Sequence, residues 1–186
     1  MILPRSLYLG LIALTPTMAS IAETPTADAV LRAALLQAKQ VHKNVLVDFR
    51  ASWCPWCVRL EHLYQDPKFG PKFRESYVFA TITVREKADR KWEENNGWES
   101  IMLGYRKDPA RDIPYVVILD PQGKAVADSY EKKGERIPGN AGFPQTDEEI
   151  TAYLDTLRKT APAFTEADLL DLKAYFAQIR ASRHHQ

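Results

Sequence analysis

Cys54 and Cys57 are the residues of this chain whose type and spacing most directly imply chemistry, and they are the only cysteines among its 186 residues. Such a pair can form a redox-active disulfide, half of a zinc site or a structural disulfide. Zinc needs about four ligands, and the two cysteines supply only two of them. The other candidate ligands, the four histidines His42, His62, His184 and His185, show no paired ligand spacing. A disulfide across so short a loop removes little chain entropy. The spacing therefore favours redox chemistry.

The elements around this pair place Cys54 where a thiol is activated. Residues 45–49 form a nearly continuous apolar run that predicts a buried strand, and 58–65 are compatible with a helix. Cys54 would then lie at a helix N-terminus, where free N–H groups and the helix dipole favour an anion. The thiolate is the attacking species, and Cys57, one turn later and less exposed, can resolve a mixed disulfide. Pro55 suits the first turn because it needs no N–H partner there.

The remaining pattern predicts an α/β protein with a mixed central sheet and helices on both faces. Short apolar runs predict strands at 45–49, 77–84, 115–119 and 124–129. Helical recurrences and capping residues predict helices at 28–42, 58–65, 146–159 and 165–180. The first two strands flank a helix and should pair in parallel, whereas the last two should form an antiparallel hairpin. Residues 85–112 predict a helix or loop insertion, and 131–145 predict a long loop.

Residues 45–57, Val-Leu-Val-Asp-Phe-Arg-Ala-Ser-Trp-Cys-Pro-Trp-Cys, resemble the active-site segment of the thioredoxin superfamily. The resemblance includes Trp53 directly before the first cysteine, Asp48 six residues before it, and Ile113-Pro114 before an apolar strand. Residues 43–84, with a Gln-Asp-Pro-Lys-Phe turn after the helix, are similar to an exported bacterial subgroup. The resemblance covers about residues 30–157. It implies a thioredoxin-like fold, to which this sequence adds an insertion before the cis-proline strand and an extra C-terminal helix.

The resemblance also implies roles for individual residues. Cys54 would be the nucleophile, Cys57 the resolving thiol, and Asp48 a buried carboxylate that relays a proton to or from Cys57. An unpaired Asp in an apolar strand is costly unless it has a function; the alternative is a solvated Asp on an edge strand. The predicted substrate-binding residues are Trp53, Pro55, Trp56, Ile113 and Pro114.

Two of these substrate-binding assignments have simpler alternatives. Pro114 would be cis, so that the backbone of Ile113 can pair with an extended substrate segment. The alternative is an ordinary trans proline that opens a strand. Trp53 would shape access to the site, but plain core packing would explain it equally well.

The chain departs from the family pattern at several places. The dipeptide between the cysteines is Pro-Trp, and Trp56 cannot supply the positive charge that a histidine would, which favours reduction over net oxidation. The insertion contains Trp92, Trp98 and Tyr105, which could form a substrate platform, although packing against the sheet is the commoner role. The C-terminal residues 169, 172, 176 and 179 are apolar at helical spacing and predict packing onto the domain.

The N-terminus predicts export. One positive charge at Arg5, an apolar run at 6–14 and small residues up to Ala22 form the pattern of a signal peptide cleaved near Ala22, with cleavage after Ala19 as a second option. The alternative is an uncleaved anchor or a buried first helix. We expect a periplasmic or secreted mature chain without a membrane span. The predicted division is a signal peptide at 1–22, a thioredoxin-like domain at 23–160, and at 161–186 a helical extension packed on that domain, with a disordered tail.

These observations predict a protein-disulfide reductase or isomerase that acts on exported thiol and disulfide proteins. A membrane-bound thiol reductase could supply its electrons. The net charge of +1 and the lack of a basic run give no reason to expect nucleic acid as a partner. Without a Gly-rich dinucleotide turn or a metal-ligand set, we expect no cofactor and no metal. The alternatives are a thioredoxin-fold binding or chaperone module, a partner dedicated to one pathway such as cytochrome maturation, and a net disulfide oxidase.

Overall fold

A computed structural model describes residues 23–106, 112–129, 131–132, 135–136 and 142–183. The predicted signal peptide at 1–22 and the tail histidines lie outside the described residues. The helices are α1 (Ala27–Val41), α2 (Pro55–Gln65), α3 (Gly70–Ser76), α4 (Trp98–Leu103), α5 (Asp147–Thr160) and α6 (Glu166–Arg183), with a 3-10 helix at Ala88–Glu93. The strands are β1 (Asn44–Arg50), β2 (Tyr77–Thr83), β3 (Tyr115–Leu119), β4 (Ala125–Asp128), β5 (Glu131–Lys132) and β6 (Glu135–Arg136). None of these helices is long and apolar enough to cross a bilayer.

Within the described residues, the central sheet has four strands in the order β2-β1-β3-β4. β1 pairs with β2 in parallel, so that Asp48 lies opposite Thr81, and pairs with β3 in antiparallel. β3 and β4 form an antiparallel hairpin. The predicted mixed sheet and both predicted pairings are confirmed. β1 lies in the interior of the sheet, which accounts for its nearly continuous apolar sequence.

Helices cover both faces of the sheet, as predicted, and each face has its own core. Alternate residues of β1 divide between the faces: Val45, Val47 and Phe49 pack with α1 and α4, whereas Leu46 packs with α2, α3, α5 and α6. In the C-terminal helix, Leu169, Leu172 and Phe176 are buried, and Ile179 packs partly buried against the same core. Its predicted packing role is confirmed.

The helix starts follow local capping chemistry. Thr146 and Glu149 form the predicted capping box at the start of α5, each side chain bonding the backbone N–H of the other. α1 begins at Ala27, capped by the Thr26 hydroxyl. α2 begins at Pro55, three residues earlier than the helix predicted from apolar spacing, because the motif itself forms its first turn.

Three expectations differ from the structure. The seven-residue helix α3 was not predicted, because two turns are too short for a clear periodicity. The segment 131–145, predicted to be a loop, contains the short antiparallel strands β5 and β6. In the insertion, Trp98 is buried, as packing predicts, but Trp92 is 72% exposed.

Candidate active site

The two cysteines lie at the junction of β1 and α2. Cys54 is the N-cap of α2, with extended backbone angles (φ −86°, ψ 112°). Its Sγ accepts the backbone N–H of Cys57 at 3.2 Å. Helix N-terminal N–H groups have no partner within the helix, so a thiolate at this position is stabilised by a directed hydrogen bond and by the helix dipole.

The two sulfurs have opposite acid–base properties. The hydrogen bond from the Cys57 thiol, together with the backbone N–H groups of Cys57 and Trp56 and the charge of Arg50, lowers the pKa of Cys54 to about 6. The pKa of Cys57 is raised, first because its thiol donates to Cys54 and then because it is buried. Both cysteines are free thiols here. The site therefore contains one thiol prepared for ionisation and a second that keeps its proton.

The segment before β3 lies against Cys54. The Sγ of Cys54 is 3.5 Å from the carbonyl oxygen of Ile113, to which its S–H can donate. The Ile113–Pro114 peptide bond is cis, as predicted, which rules out the trans alternative. Cys54 is 3% exposed and Cys57 0%, so the predicted order of exposure is confirmed, but the Cys54 sulfur is recessed beneath its neighbours.

Aromatic side chains flank the recessed sulfur. Trp53 is exposed and donates its indole N–H to the carbonyl oxygen of Arg85 at 2.8 Å, so core packing does not explain it. Trp56 is half-buried and stacks on Phe143, with ring centroids 5.7 Å apart. Pro55 is exposed at the first position of α2.

A groove of about 300 Å³ lies beside this motif. Its lining includes Trp56, Ile113 and Pro114, three of the predicted substrate-binding residues, together with Phe143 from the segment before α5. Asp112 and Glu149 contribute carboxylates to the lining. The groove is thus a depression of mixed polar and apolar lining next to Ile113, of a size that admits side chains of another chain.

Asp48 lies in the interior of the sheet, 2% exposed, and its Oδ1 has no hydrogen-bond partner among the described residues. Burial raises its pKa to about 7, against the opposing effect of the Arg50 charge. The edge-strand alternative is wrong, because β1 is flanked by β2 and β3. The Asp48 carboxyl can therefore exchange a proton near neutral pH.

Comparison with known proteins identifies the family. The family model described as thioredoxin-like matches residues 26–121. The chain belongs to the thioredoxin-like family. A curated relative, thioredoxin H4 of Arabidopsis thaliana, is 36% identical over 50 residues, which is 27% of this chain and 40% of that protein. The chain therefore matches less than half the length of this relative.

Solved structures with a similar fold include a disulphide isomerase from Xylella fastidiosa Temecula1. It is 20% identical, with a TM-score of 0.48, over 90% of this chain and 98% of that chain. A DsbH oxidoreductase is 18% identical, with a TM-score of 0.43, over 82% of this chain and 94% of that chain.

Several residues of this thioredoxin-like site were not predicted. Ser52, two residues before Cys54, donates its backbone N–H and its hydroxyl to the Glu86 carboxylate at 2.6 and 2.7 Å. The backbone N–H of Glu86 donates to Glu94 at 2.7 Å, and Glu94 also accepts the Trp98 indole N–H at 3.1 Å. The insertion is therefore fastened to the loop that carries Cys54.

A second unpredicted feature is an ion pair beside Asp48. Arg50 Nη2 lies 2.6 Å from Glu61 Oε2, which joins the end of β1 to α2. Charged residues at two alternate positions of an otherwise apolar strand, Asp48 and Arg50, were a signal in the sequence, because alternate strand residues share a face. The contacts of Glu86 with Ser52 and of Phe143 with Trp56 had no such signal in the sequence. In each contact the two residues are more than 30 positions apart.

The described residues contain no group of three or more His, Cys, Asp or Glu side chains that could hold a metal ion.

Proposed function

We propose that this chain is a thiol–disulfide oxidoreductase that reduces or isomerises disulfides of exported proteins through Cys54 and Cys57. The observation that carries the proposal is the hydrogen bond from the Cys57 N–H to the Cys54 sulfur at the start of α2. It supports one ionised and one protonated thiol in adjacent positions, which is what stepwise disulfide exchange needs.

In the first step, the Cys54 thiolate attacks one sulfur of a substrate disulfide. The Cys54–substrate S–S bond forms as the substrate S–S bond breaks, and the electron pair leaves on the second substrate sulfur, which takes a proton from water. With a Cys54 pKa of about 6, thiolates outnumber thiols by about ten to one at pH 7. The groove beside Ile113 and Pro114 would hold the substrate segment during this step.

In the second step, Cys57 attacks the Cys54 sulfur. Its proton passes to the Asp48 carboxylate, the Cys54–Cys57 disulfide forms, and the first substrate sulfur leaves as a thiolate. The substrate has gained two electrons and the enzyme dithiol has lost them. For isomerisation, another substrate thiolate displaces Cys54 instead, with no net oxidation.

Continued reduction needs a two-electron thiol donor, and a membrane-bound thiol reductase would suit a periplasmic or secreted chain. Export rests on the N-terminal sequence pattern. The proposed direction, net reduction of the substrate, rests on Trp56, because its side chain supplies no positive charge that would further stabilise the reduced enzyme. The exchange itself uses only the two sulfurs and Asp48 and calls for no cofactor.

Insulin-disulfide reduction with dithiothreitol as donor tests the proposal. We expect the wild-type chain to accelerate reduction and Cys54→Ser to fall to the uncatalysed rate. Cys57→Ser should instead accumulate a mixed disulfide with the substrate, visible by non-reducing mass spectrometry, because nothing resolves it. If the wild-type chain matched Cys54→Ser, the enzymatic function would be rejected. If Cys54→Ala kept the biological role, the chain would act as a binding module.

The reduction potential in glutathione buffers tests the direction. We expect a potential in the range of reductases and isomerases, about −180 to −270 mV. A value near the −120 mV of strong oxidants would favour the disulfide oxidase instead.

A further inference from the structure

The Asp48 carboxyl has a charged neighbour on its own strand. Arg50 follows Asp48 by two residues on β1, so both side chains leave the same face of the sheet. The Arg50 guanidinium is mostly buried and binds Glu61 of α2 at 2.6 Å. Glu61 lies one helical turn beyond Cys57, so the two residues lie on the same face of α2.

Arg50 and Glu61 both line a polar cavity of about 380 Å³. A water molecule occupies about 30 Å³ of the liquid, so the cavity is large enough to hold several waters. Asp48 is not part of its lining, but Thr81, the residue opposite Asp48 on β2, is. Its polar lining includes Arg50, Ser52, Glu61, Thr81, Thr83 and Glu86.

We propose that the Arg50–Glu61 ion pair is a positioning unit for Asp48: it holds opposed charges beside that carboxyl and links it to the polar cavity, and so governs the proton exchange between Asp48 and Cys57. This inference rests on the function proposed above. In the second step, the proton leaves Cys57 for the Asp48 carboxylate. After the disulfide has formed, Asp48 returns the proton to solvent through the cavity.

The two members of the pair act on Asp48 with opposite sign. The Arg50 charge lowers the pKa of Asp48, whereas the Glu61 charge raises it. The Arg50 charge also lowers the pKa of Cys54. If the salt bridge were purely structural, removing Arg50 or Glu61 would change Asp48 in the same direction, because either removal breaks the same bridge.

Titratable groups from β1, α2 and α5 interact electrostatically with Asp48. They are Arg50, Cys54, Cys57, Glu61, Tyr64 and Tyr153. The two tyrosines stay neutral, since burial raises their pKa values well above the ordinary range. Among these described groups, Arg50 is the only cation, so the tendency of Asp48 to ionise depends on it.

The test follows the Asp48 titration by carboxyl ¹³C NMR in the reduced full-length chain, with Arg50→Met and Glu61→Gln. We expect Arg50→Met to move the pH midpoint of Asp48 up by about one pH unit or more, and Glu61→Gln to move it down. The pH profile of mixed-disulfide resolution, measured in single turnover, should move in the same directions. Arg50→Lys keeps the charge and should restore most of the wild-type midpoint.

Arg158→Met is the matched control. Arg158 also forms an ion pair, with Glu166 at 2.8 Å, but it lies near Thr160, whose carbonyl oxygen binds Asn44 at the opposite end of β1 from Arg50. We expect this variant to leave the midpoint unchanged.

Shifts of equal sign in Arg50→Met and Glu61→Gln, or no shift in either, would overturn the inference. If Arg50→Met failed to fold, Glu61→Gln and Arg50→Lys would still test the inference. The inference is contradicted if Glu61→Gln does not lower the Asp48 midpoint. It is also contradicted if Arg50→Lys raises that midpoint by the full amount expected for Arg50→Met. The wild-type insulin assay separates the two claims. An inactive wild type rejects the proposed function, whereas an active wild type with unmoved variants rejects only the positioning role.

Discussion

The buried carboxyl of Asp48 is the side chain in the site with the least favourable surroundings. It has left water, its Oδ1 lacks a hydrogen-bond partner among the described residues, and the nearby positive charge of Arg50 only partly offsets its burial. A group in such surroundings is costly to ionise, so it destabilises the folded chain at pH values where the unfolded chain carries the charge freely. The buried carboxyl of Asp48 therefore lowers the stability of the fold at those pH values.

Replacing Asp48 by Asn should therefore stabilise the protein above neutral pH while slowing resolution of the mixed disulfide. The folded pKa is about 7, above the ordinary value of 3.8. Below about pH 4 the carboxyl is protonated in both states, and the cost of ionisation grows as pH rises to about 7 and then stays constant. The difference between the folded and unfolded pKa of Asp48 corresponds to a destabilisation of the folded chain of about 4 kcal/mol as an upper limit.

Urea unfolding of wild type and Asp48→Asn at pH 4 and pH 8 measures this effect. We expect the variant to be more stable at pH 8, by a difference that shrinks toward zero at pH 4. A stability difference that does not change with pH would contradict the raised pKa of Asp48.

Much of the chemistry at this scale was available in the sequence, because it is local. The spacing of Cys54 and Cys57, the strand before them and the helix after them are all contained in one segment. The Arg50–Glu61 pair was not predicted, because choosing which of many acidic residues faces Arg50 requires the angle between β1 and α2. The recessed position of Cys54 likewise depends on the segment at Ile113, 59 residues away.

Among the elements, the insertion between β2 and β3 supports the loop that carries Cys54. Glu86 receives two hydrogen bonds from Ser52 and is itself held by Glu94. Trp53 adds a bond to the carbonyl oxygen of Arg85. The segment after β2 thus holds the backbone just before Cys54, which keeps the sulfur at the start of α2.

Glu86→Ala should destabilise the chain by about 1 to 3 kcal/mol, since it leaves the half-buried Ser52 N–H without its charged acceptor. Asp89→Ala is the matched control, because Asp89 is exposed in the same insertion, and surface changes stay within about 0.5 kcal/mol. Chemical denaturation measures both. Equal effects of the two substitutions would show that the Ser52 contact contributes nothing specific.

Element prediction succeeded where patterns were long and failed where they were short. The strands at 45–49 and 115–119 and the capped helix after Thr146 were predicted nearly at their observed bounds, because burial on both faces and a capping box leave clear patterns. The helix α3 and the two-residue strands β5 and β6 were not predicted. Elements this short owe their conformation to the core they pack against, and no residue pattern marks them.

In the molecule as a whole, the sheet separates two cores, and α6 closes the one under α2. Leu172 of α6 is fully buried in that core, whereas Leu170, two residues earlier, is 65% exposed. α6 lies beyond residues 26–121, where the family model matches, yet it belongs to the same hydrophobic core as Leu46 and Leu60. The core is therefore larger than the matched segment.

Leu172→Ala should cost about 2 to 5 kcal/mol, the range for removing a buried leucine side chain. Leu170→Ala changes the same residue type on the same helix and should stay within about 0.5 kcal/mol. Thermal or urea unfolding distinguishes them. A Leu172 variant as stable as the Leu170 variant would mean that α6 does not contribute to the core.

The ring of Phe143 touches Trp56 on one side and Phe176 of α6 on the other, at centroid distances of 5.7 and 5.6 Å. The dipeptide between the two cysteines is thereby in mechanical contact with the last helix of the fold. If a client docks against Trp56 in the proposed function and displaces its indole, the Phe143 ring would carry that movement to Phe176 of α6. Amide hydrogens near Phe176, on a helix outside the matched segment, would then exchange at different rates with and without a client, and so report on occupancy at the sulfur.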